Sequence, residues 1–369
     1  MRNLIFIIAI ALALAFLAFT IVRKWRRKSV KRLLIAGSAL GALALACFWC
    51  FPFWDYPATT GPYQVATVSA TYTDESRVET YEDDGSARWL NVEFWYPADY
   101  EGGDNTCPLI VFSHGSFGSR VSNASQYREL ASHGYAVCAI DHTYQSLGAT
   151  GPDGETVGLD SGYRAQIMRS SDDTPEQREE LVGLFREWMA VRTGDIGFVI
   201  DTVKALSEAD GADGVYRLVD MSKIGVMGHS LGGAAALGMG RLRNDVSAVV
   251  ALEAPFMGDV QGTDADGFVW DEAPYPVPVL NVYTDSSWDI LATSPQYAQN
   301  NAVLHDDRAD TQDIYVPGAG HMTLTDLVYS LPPLCLMFGQ DMLFDADSYE
   351  ADISRAYLDF FDKYLKGGG

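Results

Sequence analysis

Apolar and polar positions follow two different rhythms along this chain, and one end has almost no polar rhythm at all. Leu4 to Val22 is a 19-residue apolar run. Leu33 to Trp54 is a second, broken only by small or weakly polar residues such as Gly37 and Ser38. About 20 such residues cross the hydrocarbon core of a bilayer as a helix, which satisfies its own backbone hydrogen bonds. Beyond residue 63 the pattern shortens. Gln64 to Thr73 and Trp89 to Tyr96 alternate with period two around an Asp83-Asp84-Gly85 turn, which predicts an antiparallel hairpin. Leu109 to Phe112, Ala136 to Ile140, Lys223 to Met227, Ala248 to Leu252, Val279 to Tyr283 and Asp313 to Val316 are short strand-like runs with helix-compatible sequence between them. Mostly continuous apolar runs of this length predict strands buried on both faces. Strands alternating with helices predict a mostly parallel, doubly wound sheet.

Ser348 to Lys366 closes the chain as an amphipathic helix, with Tyr349, Ile353, Tyr357, Phe360, Phe361 and Tyr364 near one face. Residues 144–195 are long for a connection. They begin Gly/Asp/Ser-rich and continue as a helical pattern from Pro175 to Val203. Such an excursion is either a lid over a site or a surface loop with one covering helix. The expected organisation is two membrane helices (about 4–22 and 33–54), a linker at 55–63, and a catalytic domain over 64–366.

Charge sharpens the picture of the N-terminal end. Residues 23–32 carry seven basic side chains, and the first 54 residues carry no Asp or Glu. Short basic loops stay cytoplasmic, so the hairpin turns inside and everything after Trp54 lies outside. The aromatics Trp49, Phe51, Phe53 and Trp54 then fall at the outer interface, where amphipathic rings collect. The expected location is the cell membrane, crossed twice, with an extracytoplasmic catalytic domain. Beyond the anchor the chain carries 18 basic against 49 acidic residues, a net charge of −31. That balance excludes a nucleic-acid partner. The five cysteines show neither a disulfide framework nor a metal-ligand spacing, and the six histidines form no HExxH. No metal and no cofactor is expected. Cys138, inside an apolar run, reads as a buried thiol, and one disulfide among Cys107, Cys138 and Cys335 stays open.

Chemistry enters at Ile224-Gly225-Val226-Met227-Gly228-His229-Ser230-Leu231-Gly232-Gly233, a strand running through Gly-x-Ser-x-Gly into the helix-forming Ala234-Ala235-Ala236. A nucleophilic serine on such a sharp strand-to-helix turn needs small neighbours, because a Cβ at Gly228 or Gly232 would crowd the strand and helix. The helix behind Ser230 favours developing negative charge. His321 lies on a loop after the strand-like Asp313 to Val316 and follows the serine in the order Ser, acid, His, so it is the candidate general base. Two strand ends offer the third member: Glu253 after Val249 to Leu252, and Asp285 after Asn281 to Thr284, with Asp289 nearby. Spacing alone does not choose between them. The oxyanion hole needs backbone N–H groups. Leu231, just after the nucleophile, and Ser116, on the Ser113-His114-Gly115-Ser116-Phe117-Gly118 loop, are the candidates. Of the other histidines, His133 caps a helix before Gly134, His229 packs behind the nucleophile, His114 shapes the oxyanion loop, and His142 and His305 show no pattern.

Several segments together resemble the plasma-type platelet-activating-factor acetylhydrolases, within the dienelactone-hydrolase-like group. They are Phe94-Trp95-Tyr96-Pro97, Val111 to Gly115, Leu130 to Tyr135, Gly228 to Ala234, Ala251-Leu252-Glu253-Ala254, and His321 with Asp326. The resemblance implies an α/β-hydrolase fold with a mostly parallel eight-stranded sheet flanked by helices. It implies a triad of Ser230, His321 and Glu253, with Glu standing where the family carries Asp, so Asp285 remains the alternative acid. It also implies oxyanion donors at Ser116 and Leu231, and metal-independent hydrolysis of carboxylic esters, lipase- or phospholipase A2-like, through an acyl-serine. The alternatives are a polyester or cell-wall ester hydrolase of the cutinase or acetyl-esterase sort, a serine peptidase, and a membrane-tethered binding module on a hydrolase scaffold. The expected partners are a small-molecule or lipid ester and the membrane.

Overall fold

The computed structural model describes residues 27–367, apart from 53, 171–173, 175, 266 and 307. Eight strands form one sheet: β1 (Val65–Val78), β2 (Ala87–Pro97), β3 (Cys107–Ser113), β4 (Ala136–Asp141), β5 (Val219–His229), β6 (Val246–Leu252), β7 (Val279–Thr284) and β8 (Thr311–Val316). Their order across the sheet is β1-β2-β4-β3-β5-β6-β7-β8. The β1–β2 and β2–β4 pairings are antiparallel and the remainder are parallel. The expected hairpin is therefore present, and the mostly parallel sheet follows it.

The continuous apolar runs have a direct cause. In β3, Leu109 and Val111 enter the core on one face of the sheet, while Ile110 and Phe112 enter the core on the other. In β4, Cys138 and Ile140 face one way, and Val137 and Ala139 the other. Both faces are covered, so neither set of alternate positions can be polar. The first face carries α4 (Arg178–Ser207), which buries Leu181, Phe185, Trp188, Val199 and Val203. The second face carries α2 (Ala124–Ser132) and α8 (Ala346–Phe361), with Tyr349, Ile353, Tyr357, Phe360 and Phe361 of α8 buried as the amphipathic pattern predicts. Between them, α3 (Ser161–Arg169) precedes α4, and α5 (Leu231–Leu242), α6 (Ala298–Leu304) and α7 (Pro332–Met337) follow it.

The N-terminal expectations meet the structure only in part. The run 4–22 and residues 23–26 lie outside the described residues. The helix α1 spans Arg27–Cys50, so Arg27 to Arg32 belong to a helix rather than to a loop, and the helix ends four residues before Trp54. Pro52, which cannot donate a backbone hydrogen bond and restricts the residue before it, accounts for that end. Among the described residues, no helix is long and apolar enough to cross a membrane.

The stretch 144–195 divides in two. Its second half enters α4, a core helix. Its first half holds a two-stranded ribbon (Ala149–Thr150 with Thr156–Val157) and α3, whose Asp160 cap accepts from the Tyr163 N–H at 2.7 Å. Cys107, Cys138 and Cys335 are buried free thiols, so no disulfide joins them.

Candidate active site

Ser230 sits between the end of β5 and the start of α5 with φ 54°, in the left-handed region. That conformation turns the chain sharply enough to lift the side chain out of the sheet, and it is costly for a non-glycine residue. The surrounding glycines are required by contact. A Cβ on Gly228 would lie 2.3 Å from the Gly232 carbonyl oxygen. One on Gly232 would lie 2.0 Å from that of Ser113, and one on Gly233 2.6 Å from the Ala254 Cβ.

His321 opens a short helical turn beyond β8, and its Nε2 lies 3.0 Å from Ser230 Oγ across 91 residues of sequence. The loop is tied down by its neighbours. The His321 N–H donates to Ser286 Oγ at 3.0 Å, and the His321 carbonyl meets His229 Nε2 at 2.9 Å. Burial of its ring pushes the His321 pKa down to about 4, so at neutral pH the imidazole is uncharged and free to take a proton.

The two candidate acids have different surroundings. Asp285 is occupied: one oxygen accepts from the Tyr315 hydroxyl at 2.6 Å and the other from the Gly318 N–H at 3.0 Å. It braces the loop that carries His321 from below. Glu253 is buried, with φ 52°. One oxygen accepts from the Thr284 N–H at 2.6 Å, and the other is buried without a partner. Desolvation pushes its pKa up to about 7, against the neighbouring Ser287 and Thr284 groups that favour the ionised form. No hydrogen bond joins either carboxylate to the His321 ring among the described residues.

The loop at residues 113–118, the candidate oxyanion loop, lies directly against the serine. A Cβ on Gly115 would lie 2.8 Å from His229 Nδ1 and 3.2 Å from the Ser230 Cβ. Ser116 follows Gly115, and Phe117 has φ 61°. Leu231 is the first residue of α5, so its N–H has no acceptor within the helix. Five non-glycine residues among those described have positive φ, and three of them are Phe117, Ser230 and Glu253. Strain of this kind gathers where chemistry needs a preset geometry.

Beneath the loop lies a charged network that sequence reasoning missed. Arg192 of α4, fully buried, donates from Nη1 to the His114 carbonyl at 2.6 Å and from Nε to Gln145 at 2.6 Å. Asp195, one turn later, accepts from Arg88 at 2.7 and 2.6 Å, is paired with Arg77 at 2.9 Å, and meets His142 Nδ1 at 2.8 Å. His142 Nε2 in turn meets Ser113 Oγ at 2.8 Å. Against desolvation, the Arg88 guanidinium and the hydrogen bond from His142 hold the Asp195 pKa well below the ordinary range, while burial lowers that of His142 to about 3. His142, which showed no pattern, thus supports the loop from behind. His114 Nδ1 lies 2.6 Å from the Gly115 carbonyl, in keeping with a shaping role. His133 caps α2, and His305 is exposed at the end of α6. The cue available in the sequence was the pair Arg192 and Asp195, charges at helix positions that otherwise face the core.

The family model described as platelet-activating factor acetylhydrolase, isoform II, matches residues 95–367. This chain belongs to that family. Curated relatives include a platelet-activating factor acetylhydrolase from Cavia porcellus, 26% identical over 270 residues that cover 70% of this chain and 57% of that protein. Another is the "Probable 1-alkyl-2-acetylglycerophosphocholine esterase" of Arthroderma benhamiae, 25% identical over 241 residues, or 64% of this chain and 53% of that protein. The match thus spans about half the length of each. Among solved structures, a ferulic acid esterase from Streptomyces cinnamoneus superposes with a TM-score of 0.60 at 24% identity, covering 85% of this chain and 93% of that one, which bears on the fold alone.

Proposed function

We propose that this family member is a serine carboxylic-ester hydrolase, acetylhydrolase- or phospholipase A2-like, with Ser230 as nucleophile, His321 as general base and Glu253 as the triad acid. The observation that carries the reading is the 3.0 Å contact between Ser230 Oγ and His321 Nε2 at a strained strand-to-helix turn. Ser230 Oγ attacks the ester carbonyl carbon while its proton passes to His321 Nε2. The carbonyl oxygen becomes an oxyanion, held by the N–H groups of Leu231 and Ser116. The tetrahedral intermediate collapses, the C–O bond to the alcohol breaks, and the alkoxide takes the proton from His321. Water then attacks the acyl-Ser230 ester by the same route and releases the carboxylic acid. The unpartnered oxygen of Glu253 is the acceptor left for the imidazolium. Asp285, with both oxygens engaged elsewhere, acts as a brace on the loop. The relatives' names motivate the substrate class, an acetyl or other short acyl ester on a glycerolipid or similar alcohol.

We read residues 4–22 and 33–54 as an anchor that keeps the domain on the outer face of the membrane. The exposed Ile35, Leu40, Leu43 and Leu45 on α1 support this, since an apolar helix surface in water is unfavourable. Protease protection of the tail in sealed vesicles tests the topology. The chemical reading is tested by fluorophosphonate labelling and p-nitrophenyl acetate hydrolysis. Labelling and turnover are expected in the parent and absent in Ser230→Ala. A folded parent that neither labels nor turns over would leave a binding module on a hydrolase scaffold.

A further inference from the structure

The segment between α1 and the sheet, expected to be a linker, is fastened to the catalytic domain. The Thr60 N–H donates to Glu129 at 2.9 Å, the Gly61 N–H to the Ser132 hydroxyl at 3.1 Å, and the Tyr63 N–H to the Ser132 carbonyl at 3.1 Å. A Cβ on Gly61 would lie 2.1 Å from that carbonyl oxygen, so the approach to α2 requires glycine. Two rings upstream are also fixed. Tyr56 lies under the Arg128 guanidinium at 5.0 Å and edge-on to Trp54 at 4.8 Å. Trp54 stacks on Tyr329 at 5.8 Å with 15° between the planes.

These rings face a cavity of about 280 Å³. Its lining also includes Gly115, Ser116 and Phe117 of the proposed oxyanion loop, with His229 and Met322, the neighbours of Ser230 and His321. Leu147 and Leu327 add to the apolar lining. One cavity therefore brings together the groups that flank the nucleophile and the rings of residues 54 and 56. Both rings precede residue 95, where the family match begins, so this wall lies outside the matched segment.

We propose that this cavity is the subsite for the apolar chain of the ester, and that Trp54 and Tyr56 set its length and selectivity. The inference rests on the esterase reading above. Large rings with only two side-chain torsions offer apolar area at small entropic cost, which suits a wall that must hold its shape. A volume just below the usual range for ligand pockets suits a short chain or a single ring rather than a long acyl tail. The chain could belong to the acyl or to the alcohol half of the ester, and two substrate series separate them.

The full-length chain in detergent micelles is assayed on p-nitrophenyl acetate through hexanoate and on methyl through hexyl acetate, with active sites titrated by a fluorophosphonate. Burying a methylene contributes about fourfold to kcat/KM. The parent is expected to gain about that factor per carbon in one series until the cavity is full, and that series identifies the half of the ester bound. In Trp54→Ala and Tyr56→Ala the ratio of longest to shortest ester in that series should fall at least tenfold. Trp54→Phe, which keeps a ring, should recover most of it. Unchanged ratios in both series, or equal loss on every ester in a correctly folded variant, overturns the subsite while leaving the esterase reading intact. A folded parent that hydrolyses no ester overturns both.

Discussion

Replacing Glu253 by Gln tests the assignment of the triad acid most directly. The substitution keeps the shape and an oxygen for the Thr284 N–H, now 2.6 Å from the carboxylate, and removes only the charge. An ion pair at roughly 4 Å and an effective dielectric constant near 20 is worth about 4 kcal/mol. Since about 1.4 kcal/mol is tenfold in rate, that alone is about 10³. Loss of the correct imidazole orientation extends it towards 10⁴. The effect should depend on pH. With the Glu253 pKa raised to about 7, the parent is fully ionised only above that value. At pH 6 roughly nine-tenths of it is protonated and the parent itself is about tenfold below its plateau, so the ratio of parent to variant shrinks by the same factor. The assay is kcat/KM for p-nitrophenyl acetate from pH 5 to 9, with Asp285→Asn beside it and folding checked by circular dichroism. Asp285→Asn weakens the bonds to Tyr315 and Gly318 but leaves an acceptor, so its loss should stay within about tenfold. A loss above 10³ in Asp285→Asn, or less than tenfold in Glu253→Gln at pH 8, would refute the reasoning.

Other consequences follow from the same contacts. Gly232→Ala should cost at least ~1–3 kcal/mol of stability and most activity, because its Cβ would sit 2.0 Å from a backbone oxygen that has nowhere to move. Gly183→Ala, exposed on α4 with nothing within 4 Å, should instead stabilise by about 1 kcal/mol, and thermal melts of the pair check both. Arg192→Met should lower kcat/KM by ~10–100-fold with loss of the bond to the His114 carbonyl, and Arg192→Lys should not restore it, because an ammonium cannot reach both that carbonyl and Gln145. Recovery in Arg192→Lys, read on a short ester, would show that charge alone suffices. Desolvation pushes the pKa of Glu253 and Asp326 up to about 7 and that of Glu350 to about 8. The unfolded chain has already released these protons above ordinary carboxyl values, while the buried His142, His229 and His321, pushed down to about 3 to 4, take up protons on unfolding below about pH 6.5 and oppose them, so the carboxyls govern the window from about pH 7 to 8, where stability falls as pH rises. Calorimetry should give a higher Tm at pH 7 than at pH 8, with a smaller difference in Glu350→Gln, each pKa unit being worth about 1.4 kcal/mol. A flat profile would contradict it.

Much of the molecule was legible because local rules acted alone. A strand covered on both faces must be apolar throughout, which identified β3, β4 and β6. A serine on a strained turn needs small residues at Gly228 and Gly232, which singled out Ser230 as the candidate nucleophile. The loop after β8 brought His321 into reach because the connection is short and the sheet order leaves few alternatives. By contrast, the proposed preference for Glu253 over Asp285 rests on which carboxylate found other partners, and Tyr315 and Gly318 hold Asp285. The network of Arg88, His142, Arg192 and Asp195 joins residues up to 107 positions apart. Trp54 meets Tyr329 only once the chain has folded back on itself. Periodicity and turn chemistry report what a residue needs within a few neighbours. Pairings between distant charges and rings leave no such period, so tertiary structure alone decided how the loop at residues 113–118 is supported and which rings line the cavity beside Ser230.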